Sequence, residues 1–391
     1  MKKLFLFVTL FGTLPLTSFA TSLCKQETMQ FAVNHSAAKL YEAFKAGENP
    51  NCVSEKGVPL LLHSFLWSAD PVTVETILDN GGDANASDKT GRTSLHLASW
   101  LDSSETINVL IKSGANIEAK TSSGSTPLFI ASQSKSLDAL KTLIDFGANP
   151  NVAETKPSEV CLGDGWSNYA YIKRTPIVAA ILSDRENYCH VRRLVDPVKN
   201  KVIETIQMLL LAGANINQNT DTSALGVASY FNSEVVVGFL LKNGADVNGS
   251  LALAYKPNAN LLFYTIGLSD MSIIEKLLAM NPALDGVSSN GSTLYHAAIL
   301  RKPSNPNETA GLVERLYKSI PHLIDQGDDK GFTPLMKASY GSLELIKTLI
   351  RLGADPKKVN YIGDNANCFT GEGSEQDNFY LSIGVKCGRP R

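Results

Sequence analysis

Short apolar runs at helical spacing recur along the chain, and most are closed by a glycine. In Ile107-Asn108-Val109-Leu110-Ile111 and in Leu343-Glu344-Leu345-Ile346-Lys347-Thr348-Leu349-Ile350, apolar positions return at the period of one buried helix face. Behind such runs stand Gly81-Gly82-Asp83-Ala84-Asn85, Gly114-Ala115-Asn116-Ile117-Glu118 and Gly147-Ala148-Asn149-Pro150-Asn151, evenly spaced at about 33 residues. Gly213-Ala214-Asn215-Ile216-Asn217 follows after twice that interval, and Gly244-Ala245-Asp246-Val247-Asn248 after slightly less than one more. Gly47-Glu48-Asn49-Pro50-Asn51 opens the series and Gly353-Ala354-Asp355-Pro356 closes it. A glycine here is a helix C-cap in left-handed conformation, and Asn or Asp beside it suits a turn.

A second signature follows several of these turns. It reads Gly91-Arg92-Thr93-Ser94-Leu95-His96, Gly124-Ser125-Thr126-Pro127-Leu128-Phe129, Gly291-Ser292-Thr293-Leu294-Tyr295-His296 and Gly331-Phe332-Thr333-Pro334-Leu335-Met336, with Thr175-Pro176-Ile177 lacking only the glycine. Thr caps the next helix, and Pro at the first helical position loses no useful donor. Each unit is therefore helix, turn, helix and hairpin-like loop. One unit cannot bury its own apolar face, so neighbours must stack.

The two signatures together resemble the ankyrin repeat family over roughly residues 35–360. The resemblance implies an all-α solenoid of eight or nine helix pairs, with repeats over 57–153 and 201–360 and an interrupted one over 154–200. It also implies a non-enzymatic scaffold that holds a protein partner on a concave face. Departures cluster late in the chain. Ser223-Ala224-Leu225-Gly226 replaces Thr-Pro-Leu-His, Met280-Asn281-Pro282 replaces the usual turn, and the units over 250–328 are irregular.

Both ends leave the pattern. Met1-Lys2-Lys3, an apolar run over Leu4–Leu16 and Ser18-Phe19-Ala20 read as a secretory signal over 1–20. The run is shorter than the ~20 residues that span a bilayer, and no later segment is long enough. Residues 21–56 read as a capping region with a helix over 37–45. Residues 361–391 read as an extension closed by a hairpin, because Phe379, Leu381, Ile383 and Val385 alternate at strand period.

Six cysteines fit an exported protein: Cys24, Cys52, Cys161, Cys189, Cys368 and Cys387. Cys52 and Cys161 stand about three repeats apart, each stepping on the order of 10 Å. A disulfide needs Cα atoms about 4.4–6.8 Å apart. Pairing of neighbours, Cys24–Cys52, Cys161–Cys189 and Cys368–Cys387, is expected. Each bond would contribute at most about 3–4 kcal/mol through chain entropy.

The interval from Gly147 to Gly213 equals two periods but holds one recognisable helix pair. Insertions over 154–172 and 184–200 account for the excess, and a Cys161–Cys189 bond would staple them into one projection. Trp166, Tyr169, Tyr171 and Tyr188 lie there beside Arg192 and Arg193. Such residues dominate binding hot spots. The aromatics equally fit a small private core, and the arginines a solvated rim.

With 36 basic against 38 acidic residues, the net charge of −2 argues against a protein built mainly to neutralise phosphates. No His-Glu-x-x-His, Cys-x-x-Cys, Gly-x-Ser-x-Gly or Walker-type loop occurs. His96 and His296 occupy a structural slot of the repeat. The expectation is an exported or periplasmic, monomeric, non-enzymatic protein with no cofactor, no metal and no nucleic acid, binding an unidentified protein partner. Two other readings stay open: a ligand or enzyme site in the 154–200 projection, and a rigid spacer in an envelope assembly.

Overall fold

The computed structural model describes residues 23–66, 68–161, 169–182, 196–218, 220, 222–231, 233–249, 261–301 and 306–388. The expected signal over 1–20 lies outside the described residues. Two compact units are present. The first carries α1 (Gln26–Val33), α2 (Ala37–Lys45), α3 (Leu60–His63), α4 (Pro71–Asp79), α5 (Ser94–Trp100), α6 (Ser104–Lys112), α7 (Pro127–Ser134), α8 (Leu137–Asp145), β1 (Ser158–Cys161), the end of β2 (Tyr169–Ile172), which pairs with β1 as a ribbon, then α9 (Pro176–Leu182) and α10 (Asp196–Leu211). The second carries α11 (Ala224–Tyr230), α12 (Glu234–Lys242), α13 (Leu261–Leu268), α14 (Met271–Leu278), α15 (Leu294–Leu300), α16 (Pro306–Ser319), a 3-10 turn at Pro321–Leu323, α17 (Pro334–Ala338), α18 (Leu343–Arg351), a 3-10 turn at Ala366–Phe369 and α19 (Glu375–Ser382). Among the described residues this makes five helix pairs in the first unit and four in the second.

The first helix of each pair starts where the sequence places its cap. Thr126 Oγ1 accepts the Phe129 amide with Pro127 behind it, and Thr333 Oγ1 accepts the Met336 amide. At Thr93 the amide donates to His96 Nδ1 at 3.1 Å, and at Thr293 to His296 Nδ1 at 3.0 Å. These first helices are buried nearly all round; every residue of α9 is buried. Second helices bury one stripe, such as Thr106, Ile107 and Leu110 in α6. The stacking explains the difference. In the first unit α3, α5, α7 and α9 form one row and α2, α4, α6, α8 and α10 another. A first helix thus has neighbours on more sides. Each fully buried Leu or Ile contributes about 1.5–3 kcal/mol.

The Gly-Ala-Asn turns form a hydrogen-bonded ladder in the first unit. Asn51 Nδ2 donates to Gly81 O at 2.8 Å, and Asn51 Oδ1 accepts the Asp83 amide at 2.7 Å. Asn85 repeats this with Gly114 O and the Asn116 amide, at 3.0 and 2.7 Å. Asn151 repeats it with Gly213 O and the Asn215 amide, also at 3.0 and 2.7 Å. The last rung skips the long interval seen in the sequence. The 147–213 segment therefore occupies one repeat step, and its extra residues leave the ladder intact.

The fold is all-α as expected, with one short β1–β2 ribbon at the first insertion. Residues 196–200, expected in the second insertion, already belong to α10; Pro197 suits a first turn. The 37–45 helix is α2, and α1 before it completes a full pair. The C-terminal extension is closed by Cys368–Cys387, with Cα atoms 4.7 Å apart, but it is helical and not a hairpin. Ser374 accepts the Asp377 amide and starts α19. Asp377 and Tyr380 are the buried residues of α19; of the alternating set Val385 is buried, whereas Leu381 and Ile383 face solvent. The alternation of apolar residues does not track burial.

The same end is a degenerate repeat. The Asn360 amide donates to Asp364 O at 2.9 Å, as the Asp328 amide does to Phe332 O at 3.0 Å. Gly384 donates to Leu381 O at 3.1 Å and Val385 to Tyr380 O at 2.9 Å, matching Gly353 to Ile350 O and Ala354 to Leu349 O at 3.0 Å each. Its first helix has shrunk to the 3-10 turn Ala366–Phe369. At the other end, Cys24 and Cys52 are bonded with Cα atoms 4.9 Å apart.

Candidate interaction surface

Between pairs, the chain makes a finger whose stem is one backbone bond. The donor amide is four positions ahead of the acceptor carbonyl. Ser54 to Val58 O, Asp88 to Arg92 O and Thr121 to Ser125 O span 2.8, 2.9 and 3.0 Å. Neighbouring fingers also pair sideways, as in Ser122 to Thr90 O at 2.7 Å and Thr155 to Ser123 O at 2.9 Å. That row needs glycine. Gly124 has φ +89°, and a Cβ there would sit 2.6 Å from the Thr155 amide nitrogen.

The finger after Asn151 keeps this stem and enlarges its tip. The Glu154 amide donates to Arg174 O at 3.0 Å, twenty positions along instead of four. The β1–β2 ribbon grows from this stem. Its base is an ion pair: Arg174 Nε donates to Glu154 Oε2 at 2.8 Å and Nη2 to Oε1 at 3.0 Å. Ser125 Oγ donates to Oε1 at 3.2 Å, and the Arg174 guanidinium lies 5.3 Å from the centre of the Phe129 ring. Glu154 is 3% and Arg174 4% exposed. A buried pair holds its geometry because losing either partner strands a charge without water.

In the short finger, Arg92 Nε donates to Asp88 Oδ2 at 2.9 Å. Burial raises the Asp88 pKa, but the Thr90 hydroxyl and Arg92 outweigh it and hold the carboxyl below its ordinary value.

Cys161 ends β1, and Tyr169 and Tyr171 are in β2. Trp166, Tyr188, Cys189, Arg192 and Arg193 lie outside the described residues, as does the expected Cys161–Cys189 bond.

The second unit holds an aromatic group that sequence reasoning missed. The Phe369 ring lies 5.3 Å from Phe332 and 5.6 Å from Tyr340, and Lys337 Nζ stands 4.0 Å over Phe332. Tyr340 is 69% exposed, and Tyr361 and Ile362 on the last finger are 78% and 63% exposed. The signal for it was apolar residues at turn positions, Tyr340-Gly341 and Tyr361-Ile362-Gly363, where polar ones are usual.

His96 and His296 bridge repeats. His96 Nε2 lies 3.0 Å from Ser125 O and His296 Nε2 2.8 Å from Phe332 O, each in the next finger. Burial holds the His96 pKa down to about 4 and also lowers that of His296. Ser68 Oγ stands 2.9 Å from His35 Nε2, while His35 Nδ1 is buried without a hydrogen-bond partner. Among the described residues no three His, Cys, Asp or Glu side chains are placed to hold a metal, and no helix is long and apolar enough to cross a membrane.

Two family models match parts of the chain. A model of ankyrin repeats in three copies matches residues 62–154, and a single ankyrin repeat model matches 330–361. Among solved structures, the human ASB11 ankyrin repeat domain is 23% identical, with 63% of this chain and 93% of that one covered and a TM-score of 0.45. The ankyrin repeat domain of Bcl-3, a member of the IkappaB protein family, is 20% identical, with 65% and 98% covered and a TM-score of 0.49. The chain thus carries ankyrin repeats, matched over 62–154 and again over 330–361.

Proposed function

We propose that this protein is an exported, non-enzymatic interaction protein that holds a protein partner along its fingers and first helices. The 154–200 projection is its private recognition element. The observation that carries this is the 154–174 finger: the stem of an ordinary repeat, a longer tip, and a buried bidentate ion pair that fixes where the tip begins. Rigid elements that present a variable tip suit recognition. Trp166, Tyr169 and Tyr171 supply the apolar area, Tyr188 adds to it, and Arg192 and Arg193 supply directed hydrogen bonds. Two disulfides favour an oxidising compartment, periplasmic or extracellular.

The test compares the mature chain 21–391 with its Trp166→Ala/Tyr169→Ala/Tyr171→Ala variant as affinity baits, with folding checked by circular dichroism. A partner held by the first and lost by the folded variant supports the projection. A partner held by both assigns binding to the repeat face. Cell fractionation and the N-terminal residue of the mature protein test export; full-length chain retained in the cytoplasm would refute it.

A further inference from the structure

We propose that the C-terminal module, residues 361–388, is a cap that thiol reduction releases from the second unit while the repeats beneath stay folded. The module has a repeat's outline but less of its packing: outside α19 it buries residues including Ala366, Asn367 and Val385, and Phe369 meets Phe332 and Tyr340. Its first helix is a single 3-10 turn, and α19 buries only Asp377 and Tyr380. By contrast α18, the second helix of the complete repeat before it, buries Leu345, Ile346, Thr348 and Leu349. The tertiary ties of α19 to that repeat include the Tyr380 hydroxyl 2.8 Å from Ser339 Oγ and Gln376 Nε2 donating to Gly341 O at 2.8 Å.

What joins the two arms of the module is local to it. Cys368 and Cys387 close a separation of 19 residues. Asn367 Nδ2 donates to Val385 O at 2.9 Å and Asn365 Nδ2 to Lys386 O at 2.8 Å across the same gap. Cys368 and Cys387 are both partly exposed, whereas in the Cys24–Cys52 bond of the first unit Cys24 is partly exposed and Cys52 is only 1% exposed.

The reductant is a dithiol. One thiolate attacks a sulfur of Cys368–Cys387, the S–S bond breaks, and a mixed disulfide forms. The second thiolate then displaces the remaining cysteine. The two cysteines gain two electrons and two protons and the dithiol becomes a disulfide. With the loop open, a module this thinly packed loses its constraint, and its opening equilibrium rises by about a hundredfold. The outer surface of α17 and α18 around Ser339 is then uncovered.

Amide hydrogen exchange on the mature chain tests this, before and after dithiothreitol. Exchange across 375–385 is expected to rise about a hundredfold, with 343–349 and 104–112 unchanged and protection restored on reoxidation. Dithiothreitol also reaches other disulfides. A Cys368→Ser/Cys387→Ser variant, read without reductant, isolates the C-terminal one and is expected to exchange like the reduced protein. Unchanged exchange over 375–385 in either arm overturns the proposal. So does an equal loss over 343–349, which makes the bond a staple of the whole unit. If the variant does not fold, reduction of the folded native protein decides.

Discussion

The 88–92 and 154–174 fingers share a stem and differ in everything above it. Each closes with one backbone bond, and in each the carboxylate at the start takes the arginine at the end. In the short finger the pair is partly wet, with Arg92 and Asp88 side chains 25% and 10% exposed. In the long one they are 5% and 1% exposed, and the pair is bidentate. A repeat can therefore accept a long insertion at its finger tip without losing register, provided the stem survives. The Asn151 ladder to Gly213 and Asn215 shows that register held.

The sharpest way to break this comparison is to remove the long finger's arginine. Arg174→Ala leaves the buried Glu154 carboxylate without its countercharge and is expected to cost about 3–5 kcal/mol, read from urea unfolding. A double Glu154→Leu/Arg174→Met variant is expected to recover most of it. If Arg174→Ala costs no more than Arg92→Ala, burial is not what separates the fingers.

Acid probes the next level. Burial keeps His96 neutral, with its pKa down to about 4 against an ordinary 6.5. Its contribution is complete above about pH 6.5, where folded and unfolded chains are both neutral. It is lost progressively as pH falls from about 6.5 to about 4, a loss on the order of 3 kcal/mol. In the interrupted repeat the equivalent position is Val178, which does not titrate. Hydrogen exchange between pH 6.5 and 4, corrected for intrinsic rates, should therefore show α5 losing protection before α9. Simultaneous loss would mean that His96 does not control the short-finger repeat.

Glycine substitution sharpens the role of the finger row. Gly124→Ala forces a Cβ against the Thr155 backbone at positive φ and is expected to cost about 1–3 kcal/mol. Gly47 has φ +90° but open space around it, so Gly47→Ala bears only the backbone cost of roughly 1 kcal/mol. Equal losses in thermal unfolding would show that lateral finger contact matters little. The smallest effect is Arg92→Ala, at roughly 0–1 kcal/mol, because water replaces much of what that pair supplies.

Much of the fold was legible because its signals are local. Thr126-Pro127 starts a helix whatever surrounds it, and Gly114 ends one. The recurrence of both signals at one even interval gives the stack. The candidate site was legible only in part. The doubled interval between Gly147 and Gly213 announced an insertion, but not that its base would be a Glu–Arg pair. Neither Glu154 nor Arg174 stands out among the charged residues around it. At the C-terminus, the 379–385 alternation pointed to a strand, while the repeat glycines Gly363 and Gly384 gave the better signal.

Helix starts, their caps and the positive-φ turns are set within the chain itself, because each depends on residues within about four positions of one another; their recurrence sets the repeat period. Tertiary structure decided what joins distant residues: Glu154 with Arg174, Asn151 with Asn215, and Tyr380 with Ser339. It also decided the helical state of 375–382, where capping by Ser374 and burial of Tyr380 outweigh an apolar alternation that finds no partner strand. Those choices turn on which groups are withdrawn from water, and only the packed chain sets that.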